Sequence, residues 1–184
     1  MSNIFFDIKK LKKCGNNVTI GKTVRIRYPE LVSIGDNVII DDFCYISTQL
    51  NISSYVHISS GCKIIGGKKS RVFFENFSTL SPNVVLVARS DDYISGIATP
   101  LVDEKYKGDI SKSDIHIKKH VIIGSNSVVL PGVVANQGSG LGALSLVNKD
   151  LEPWYLYAGV PSKKIKRRSK SEILSMEKAF LSNN

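Results

Sequence analysis

An isoleucine recurs at every sixth position in one stretch of this chain, at Ile34, Ile40, Ile46, Ile52, Ile58 and Ile64. A helix repeats its face every 3.6 residues and a strand every two, so neither produces this spacing. A fixed internal period decides architecture before local propensity does. Within each block the fifth position is also apolar (Val38, Cys44, Leu50, Val56, Cys62), and the second is small or short and polar (Gly35, Asp41, Ser47, Ser53, Ser59). Such a block fits one short flat strand and a tight corner, with the β-branched residue inward and the small residue relieving crowding at the bend. Three blocks close a triangular coil. Residues eighteen apart then stack, and neighbouring coils pair as parallel strands about 4.8 Å apart.

The pattern resumes further on, with inward positions Ile123, Val129, Ala135 and Leu141, and it extends upstream to Ile20 and Ile26. A nine-residue step from Ile64 to Phe73 predicts that "GGKKS" bulges from a corner. The expected fold is an all-β solenoid, a left-handed parallel β-helix of hexapeptide repeats over 18–168, against the usual right-handed crossover. Solenoid ends need covering. Residues 1–17 offer an amphipathic helical segment (Ile4, Ile8, Leu11). Residues 169–184 offer a C-terminal helix with Ser171 as N-cap and an apolar set of Ile173, Leu174, Met176, Phe180 and Leu181. Between them, 88–114 breaks the hexads with acids, Tyr93, Tyr106 and Pro100. A loop this long in a regular solenoid points to function and is expected to protrude over a substrate.

Composition narrows the partners. No stretch approaches the twenty or so apolar residues of a membrane span, and at the N-terminus apolar residues precede the lysines, the reverse of a secretory signal. A cytoplasmic protein is expected. Cys14, Cys44 and Cys62 are odd in number and lack CxxC spacing, which implies free thiols; Cys44 and Cys62 stack as core filler. The net charge of +9 favours an anionic partner. It gathers at Lys9, Lys10, Lys12 and Lys13 and again at Lys163, Lys164, Lys166, Arg167, Arg168 and Lys170. Aromatic residues are not interleaved with these clusters, which disfavours nucleic acid.

The stretch 120–166 carries two motifs. One is G-A-x-S-x-V-x-K-D at 142–150; the other is A-G-x-P-S-K-x-I at 158–165. Here the chain closely resembles the hexapeptide-repeat acyltransferases. The segments "YVHISSGCKIIGG" and "FENFSTLSPNVVLVARSDDYISG" resemble the sugar acyltransferases of surface-polysaccharide synthesis, in the group acting on nucleotide-linked 4-amino-4,6-dideoxy sugars. The resemblance implies an acetyl-CoA-dependent homotrimer, with active sites between subunits, a small-molecule sugar nucleotide as acceptor and no metal. It implies that Gly124, Ser125, Gly142 and Ala143 run along the pantetheine arm. It also puts Gly159 and Pro161 near the adenine, and Lys163, Lys164, Lys166 and Arg167 near the CoA phosphates, where such side chains give charge-assisted bonds.

Acyl transfer from a thioester needs an attacking group that sheds its proton, and an imidazole suits that task near neutrality. The chain has His57, His116 and His120. His57 ends its hexad, where a side chain leaves the core, and matches the histidine that the amino-sugar group carries before Ile and Ala or Ser. His57 is therefore the expected general base, Ser125 or a backbone N–H the oxyanion donor, and Asp91, Asp92 and Tyr93 the substrate-binding residues. The familiar galactoside and antibiotic enzymes place their base after the strand entering the long loop, where this chain reads "VARSDDY" without a histidine. Two other readings stay open: transfer to a sugar hydroxyl, and a non-enzymatic solenoid binding anionic partners.

Overall fold

The computed structural model describes residues 6–183. The chain winds as a left-handed parallel β-solenoid of about seven turns, closed by a C-terminal helix. Its first face is a ladder of Val18–Ile20, Val38–Ile40, Val56–Ile58, Thr79–Leu80, Ile122–Ile123, Gly140–Leu141 and Tyr155–Ala158, all parallel. The other two faces share one sheet, because Tyr45–Ile52 and Lys63–Phe74 run on around a corner.

The six isoleucines form the inner wall. Ile34 pairs with Ile52, Ile40 with Ile58 and Ile46 with Ile64, each eighteen residues on. Five of the six are at most 1% exposed and Ile52 is 5% exposed, so almost the whole side chain leaves water. Burying one isoleucine this way contributes about 1.5–3 kcal/mol. Cys44 and Cys62 are buried in the same core as free thiols. Ile123, Val129, Ala135 and Leu141 continue the wall.

The left-handed residue of these bends is the fourth of its block, at Asn37, Phe43, Tyr55 and Gly61. The small second position relieves crowding, as expected: a Cβ on Gly35 would lie 2.8 Å from the carbonyl carbon of Ser53 on the neighbouring coil. The bulge also shifts the inward residue from Phe73 to Phe74. Phe74 pairs with Ile52 and is 1% exposed, while Phe73 points out and stacks on His116 at 4.7 Å.

Both ends depart from the helical expectation in detail. Ile4 lies outside the described residues. Downstream, only Ile8–Lys10 turns, as a short 3-10 segment, and Lys13–Cys14 already pairs with Ser33 and Ile34. A helix there would leave the Val32–Ile34 edge without hydrogen-bond partners, which a strand supplies. At the other end, Gly159 (φ 103°) turns the chain back, so Lys163–Arg167 runs antiparallel to Tyr155–Ala158. The C-terminal helix spans Lys170–Ser182 with Ser169 as N-cap, so Ser171 sits inside its first turn. The loop 88–114 leaves between the second and third faces. Its base is closed by Arg89–Ser90 against Ser111–Lys112.

Candidate active site

One ridge of the solenoid organises the candidate residues. Where the first face ends, Asp41, Ser59, Ser81, Gly124 and Gly142 occupy successive coils. Each amide donates to a carbonyl of the next coil: Asp41 to Ile58, Ser59 to Leu80, Ser81 to Ile123, Gly124 to Leu141 and Gly142 to Tyr157, at 2.7–3.0 Å. The register carries the ridge on to Ala158. At about 4.8 Å per coil, the span from Asp41 to Ala158 is about 24 Å. Its N-terminal half bears carboxylate and hydroxyl groups; its C-terminal half is nearly free of side chains.

The expected stacking of Ser125 on Ala143 holds, because Ile122 and Ile123 pair with Gly140 and Leu141. The amide of Leu144 donates to the Ser125 carbonyl at 2.9 Å. The Ser125 hydroxyl makes no hydrogen bond among the described residues and is free for a ligand. Gly124 has a second reason for lacking a side chain. A Cβ there would lie 2.5 Å from the amide nitrogen of Ala143, so only glycine lets the two coils meet.

His57 projects outward from the first face beside this ridge, as its place in the hexad predicts. Its Nε2 lies 2.8 Å from Oδ2 of Asp41, and the two side chains are 44% and 43% exposed. A carboxylate accepts, so in the neutral imidazole the tautomer this contact favours has its proton on Nε2 and its lone pair on Nδ1. Asp41 thus orients the imidazole through one ring nitrogen and leaves the other open. Asp41 was not among the expected site residues. Its sequence signal is faint: an acid at the second position of the coil before the histidine, where the other blocks carry glycine or serine.

His116 and His120 are used structurally. His116 stacks on Phe73, and His120 packs 5.4 Å from the Phe77 ring while its Nε2 lies 2.8 Å from Glu177 on the C-terminal helix. Despite burial, which acts to raise it, the Glu177 carboxyl is held below the usual range by bonds from Lys119 and His120. Among the described residues, no three His, Cys, Asp or Glu side chains converge as a metal would require.

The antiparallel return sorts the basic run. Lys164 is committed: it pairs with Glu152, which raises its pKa, and lies over the Tyr155 ring. Arg167 also lies over Tyr155, 5.3 Å from the ring centroid. Arg168 turns inward, its Nη1 donating to the carbonyls of His120, Gly138 and Ser139 at 2.8–3.0 Å, and burial lowers its pKa. Lys163 and Lys166 are exposed and without ion pairs among the described residues. They are the cations left for an anionic ligand, close to Gly159 and to Pro161, which follows a cis peptide bond.

The loop separates its two aspartates. Asp92 accepts from the amides of Ile94 and Ser95 (2.8 and 3.2 Å), the Ser95 hydroxyl and the Asp109 amide (3.1 Å). The Ser95 hydroxyl foremost, and then these amides, hold its carboxyl well below the usual range. Asp92 therefore staples the loop. The Asp91 carboxylate has no partner among the described residues, and Tyr93 stands 91% exposed at the tip.

A solenoid whose bare ridge links an imidazole–carboxylate pair to free lysines has the architecture of the hexapeptide-repeat acyltransferases. Comparison with known proteins agrees, although no family model matches the chain. It is 37% identical over 174 residues to dTDP-4-amino-4,6-dideoxy-D-glucose acyltransferase of Escherichia coli, covering 92% of this chain and 88% of that one. It is 34% identical, over the full length of both chains and with a TM-score of 0.93, to a variant of AntD. AntD is an N-acyltransferase from Bacillus cereus, here solved with dTDP-4-amino-4,6-dideoxyglucose and coenzyme A. AntD solved with dTDP and 3-hydroxybutyryl-CoA matches at 35% identity with a TM-score of 0.91, covering 99% of this chain and 98% of that one. The chain belongs to the hexapeptide-repeat acyltransferase family that contains these two enzymes.

Proposed function

We propose that this protein transfers an acyl group from acyl-CoA, acetyl-CoA being the expected donor, to the amino group of a dTDP-linked 4-amino-4,6-dideoxy sugar. The observation that carries this reading is similarity along essentially the whole chain to an enzyme solved with both that sugar nucleotide and coenzyme A. Lys163 and Lys166 bind the CoA phosphates beside Gly159 and Pro161, with Lys164 and Arg167 bordering them. The pantetheine runs along Gly142, Ala143, Gly124 and Ser125 toward Ser81.

The acceptor lies at the polar end of the ridge. The solved AntD variants change a serine and an aspartate ten residues apart. In this chain Ser81 and Asp91 are the one such pair at that spacing. Ser81, Asp91 and Tyr93 hold the amino sugar, and Asp92 keeps the loop in shape to present them.

The amine nitrogen attacks the thioester carbonyl directly in a ternary complex. Its lone pair forms the C–N bond, and the proton it sheds passes to Nδ1 of His57. The Ser125 hydroxyl donates to the oxyanion, a contribution typically about 3 kcal/mol. The C–S bond then breaks, the sulfur takes the proton from the imidazole, and CoA leaves as the free thiol. Three copies assemble with sites between them, and the enzyme works in the cytoplasm, where its three free cysteines stay reduced.

A thiol-release assay with acetyl-CoA tests this across dTDP-linked amino sugars and plain glycosides. Release with the amino-sugar nucleotides alone is expected. Equal turnover of plain glycosides would contradict the acceptor.

A further inference from the structure

Along the first face, Ile39, His57 and Thr79 are consecutive outward residues, paired in register. His57 therefore has an apolar neighbour on its N-terminal side and a hydroxyl on the other, each about 4.8 Å away along the ladder. Ile39 is 44% exposed.

A second apolar group stands close by, at the corner just past the ridge. There the left-handed residues of successive coils are Phe43, Gly61, Asn83, Asn126 and Leu144. Glycine and asparagine enter that region readily, and a bulky side chain rarely does. Phe43 occupies it with φ 63° while 71% exposed, so burial within the chain does not account for the ring. Its backbone is pinned. The Phe43 amide donates to Oγ1 of Thr23 at 2.8 Å, and Thr23 donates through its own amide and hydroxyl to Asp42, both at 2.8 Å. A side chain shown on a fixed backbone costs less entropy to engage. Ile39 and Phe43 lie two residues before and two after Asp41, the carboxylate that holds His57.

We infer that Ile39 and Phe43 receive the C-6 methyl group of the acceptor, and so select 6-deoxy over 6-hydroxy amino sugars. This rests on the acceptor proposed above. CoA comes along the ridge from its C-terminal end, which leaves the N-terminal side of His57 to the sugar. The two carbons beside the C-4 amine differ in chemistry: C-3 bears a hydroxyl, and C-5 bears the methyl. With the hydroxyl side held by Ser81 and Asp91, the methyl side turns toward Ile39 and Phe43. C-6 is joined to the neighbour of C-4, so it stays within about one coil spacing of the nitrogen that faces His57. A hydroxyl in place of that methyl would leave water against two apolar side chains, which opposes binding.

The test compares two acceptors that differ at C-6 alone. kcat/KM is measured with dTDP-4-amino-4,6-dideoxyglucose and with dTDP-4-amino-4-deoxyglucose for wild type, Ile39→Thr and Phe43→Asn. Threonine keeps the β-branched shape that suits a ladder, and asparagine suits the left-handed backbone. Both variants are therefore expected to fold, checked by circular dichroism. Wild type should prefer the 6-deoxy acceptor about 10–100-fold, and each variant should lower that ratio roughly five-fold or more. A structural role would slow both acceptors alike; an unchanged ratio therefore overturns the methyl contact, as does a wild type indifferent to the 6-hydroxyl. A fall in the mass of Phe43→Asn by light scattering would assign the ring to a contact between copies and overturn it too. Turnover of plain glycosides but of neither sugar nucleotide by wild type overturns the acceptor reading itself, and the methyl contact with it.

Discussion

Nε2 of His57 stands 2.8 Å from Oδ2 of Asp41, sixteen residues earlier on the neighbouring coil. The pair is held by the solenoid itself, because Val56–Ile58 and Val38–Ile40 are adjacent rungs of one parallel ladder. With Nε2 engaged, Nδ1 is the nitrogen proposed to accept the amine's proton. Positioned bases typically contribute 10²–10⁴-fold. His57→Ala should therefore lower kcat by about that factor, and Asp41→Asn by about 10²-fold, with KM for acyl-CoA little changed. Steady-state kinetics decides it. If both variants keep near-full turnover, positioning of the two substrates carries the rate instead.

Lys163 and Lys166 should act on CoA where Lys164 does not. A hydrogen bond to a charged group is worth about 1.5–3 kcal/mol, so Lys163→Ala and Lys166→Ala should each raise KM for acyl-CoA roughly ten-fold or more. Added salt should shrink the difference. Lys164 is already paired with Glu152, and its replacement should cost far less. Calorimetric titration with CoA separates the three.

The inner wall predicts a stability effect independent of chemistry. Ile58 is 0% exposed and pairs in register with Ile40 and Leu80. Ile58→Ala should destabilise the protein by about 2–5 kcal/mol, read as a lower urea midpoint. An unchanged midpoint would mean that the coils repack freely around the missing atoms.

Acid should release the C-terminal helix. The folded Glu177 carboxyl is held below its usual value of about 4.3. A depressed carboxylate contributes stability that is fully present above the unfolded value and is lost as pH falls through the folded one. Lys119 and His120 are the groups that face it. Trp154, the one tryptophan, lies 6.2 Å from the His120 ring and reports on this corner. Its fluorescence should change as pH falls below about 4.5, where the carboxyl takes up its proton. In Glu177→Gln that acid step should disappear.

Much of the fold was legible because one geometric demand repeats. Every inward position faces the same narrow triangular core, so Ile34 to Ile64 announce the coil, its length and its stacking partners. The family was legible in the blocks ending at Asp150 and Ile165. The bends were less so: Tyr55, Phe77, His120 and Trp154 adopt positive φ (59–62°), a region usually left to glycine or asparagine. Their aromatic column is sheltered by a helix far along the chain, which no local pattern signals. Asp41 was missed because its role appears only when two coils are set side by side. Asp91 and Asp92 are neighbours of one type, and only the loop's own hydrogen bonds distinguish the free carboxylate from the staple. Lys163 and Lys164 are told apart in the same way, by a chain reversal that leaves one of them beside Glu152.

The most direct test of the central claim is the chemical nature of the product. Incubating the protein with acetyl-CoA and dTDP-4-amino-4,6-dideoxyglucose, then taking the mass and the proton and carbon spectra of the purified product, locates the new bond. One acetyl group on the C-4 nitrogen, as an amide stable to mild base, with one free CoA thiol per product, is the predicted result. A base-labile ester on a sugar hydroxyl, or no transfer from acyl-CoA at all, would contradict it.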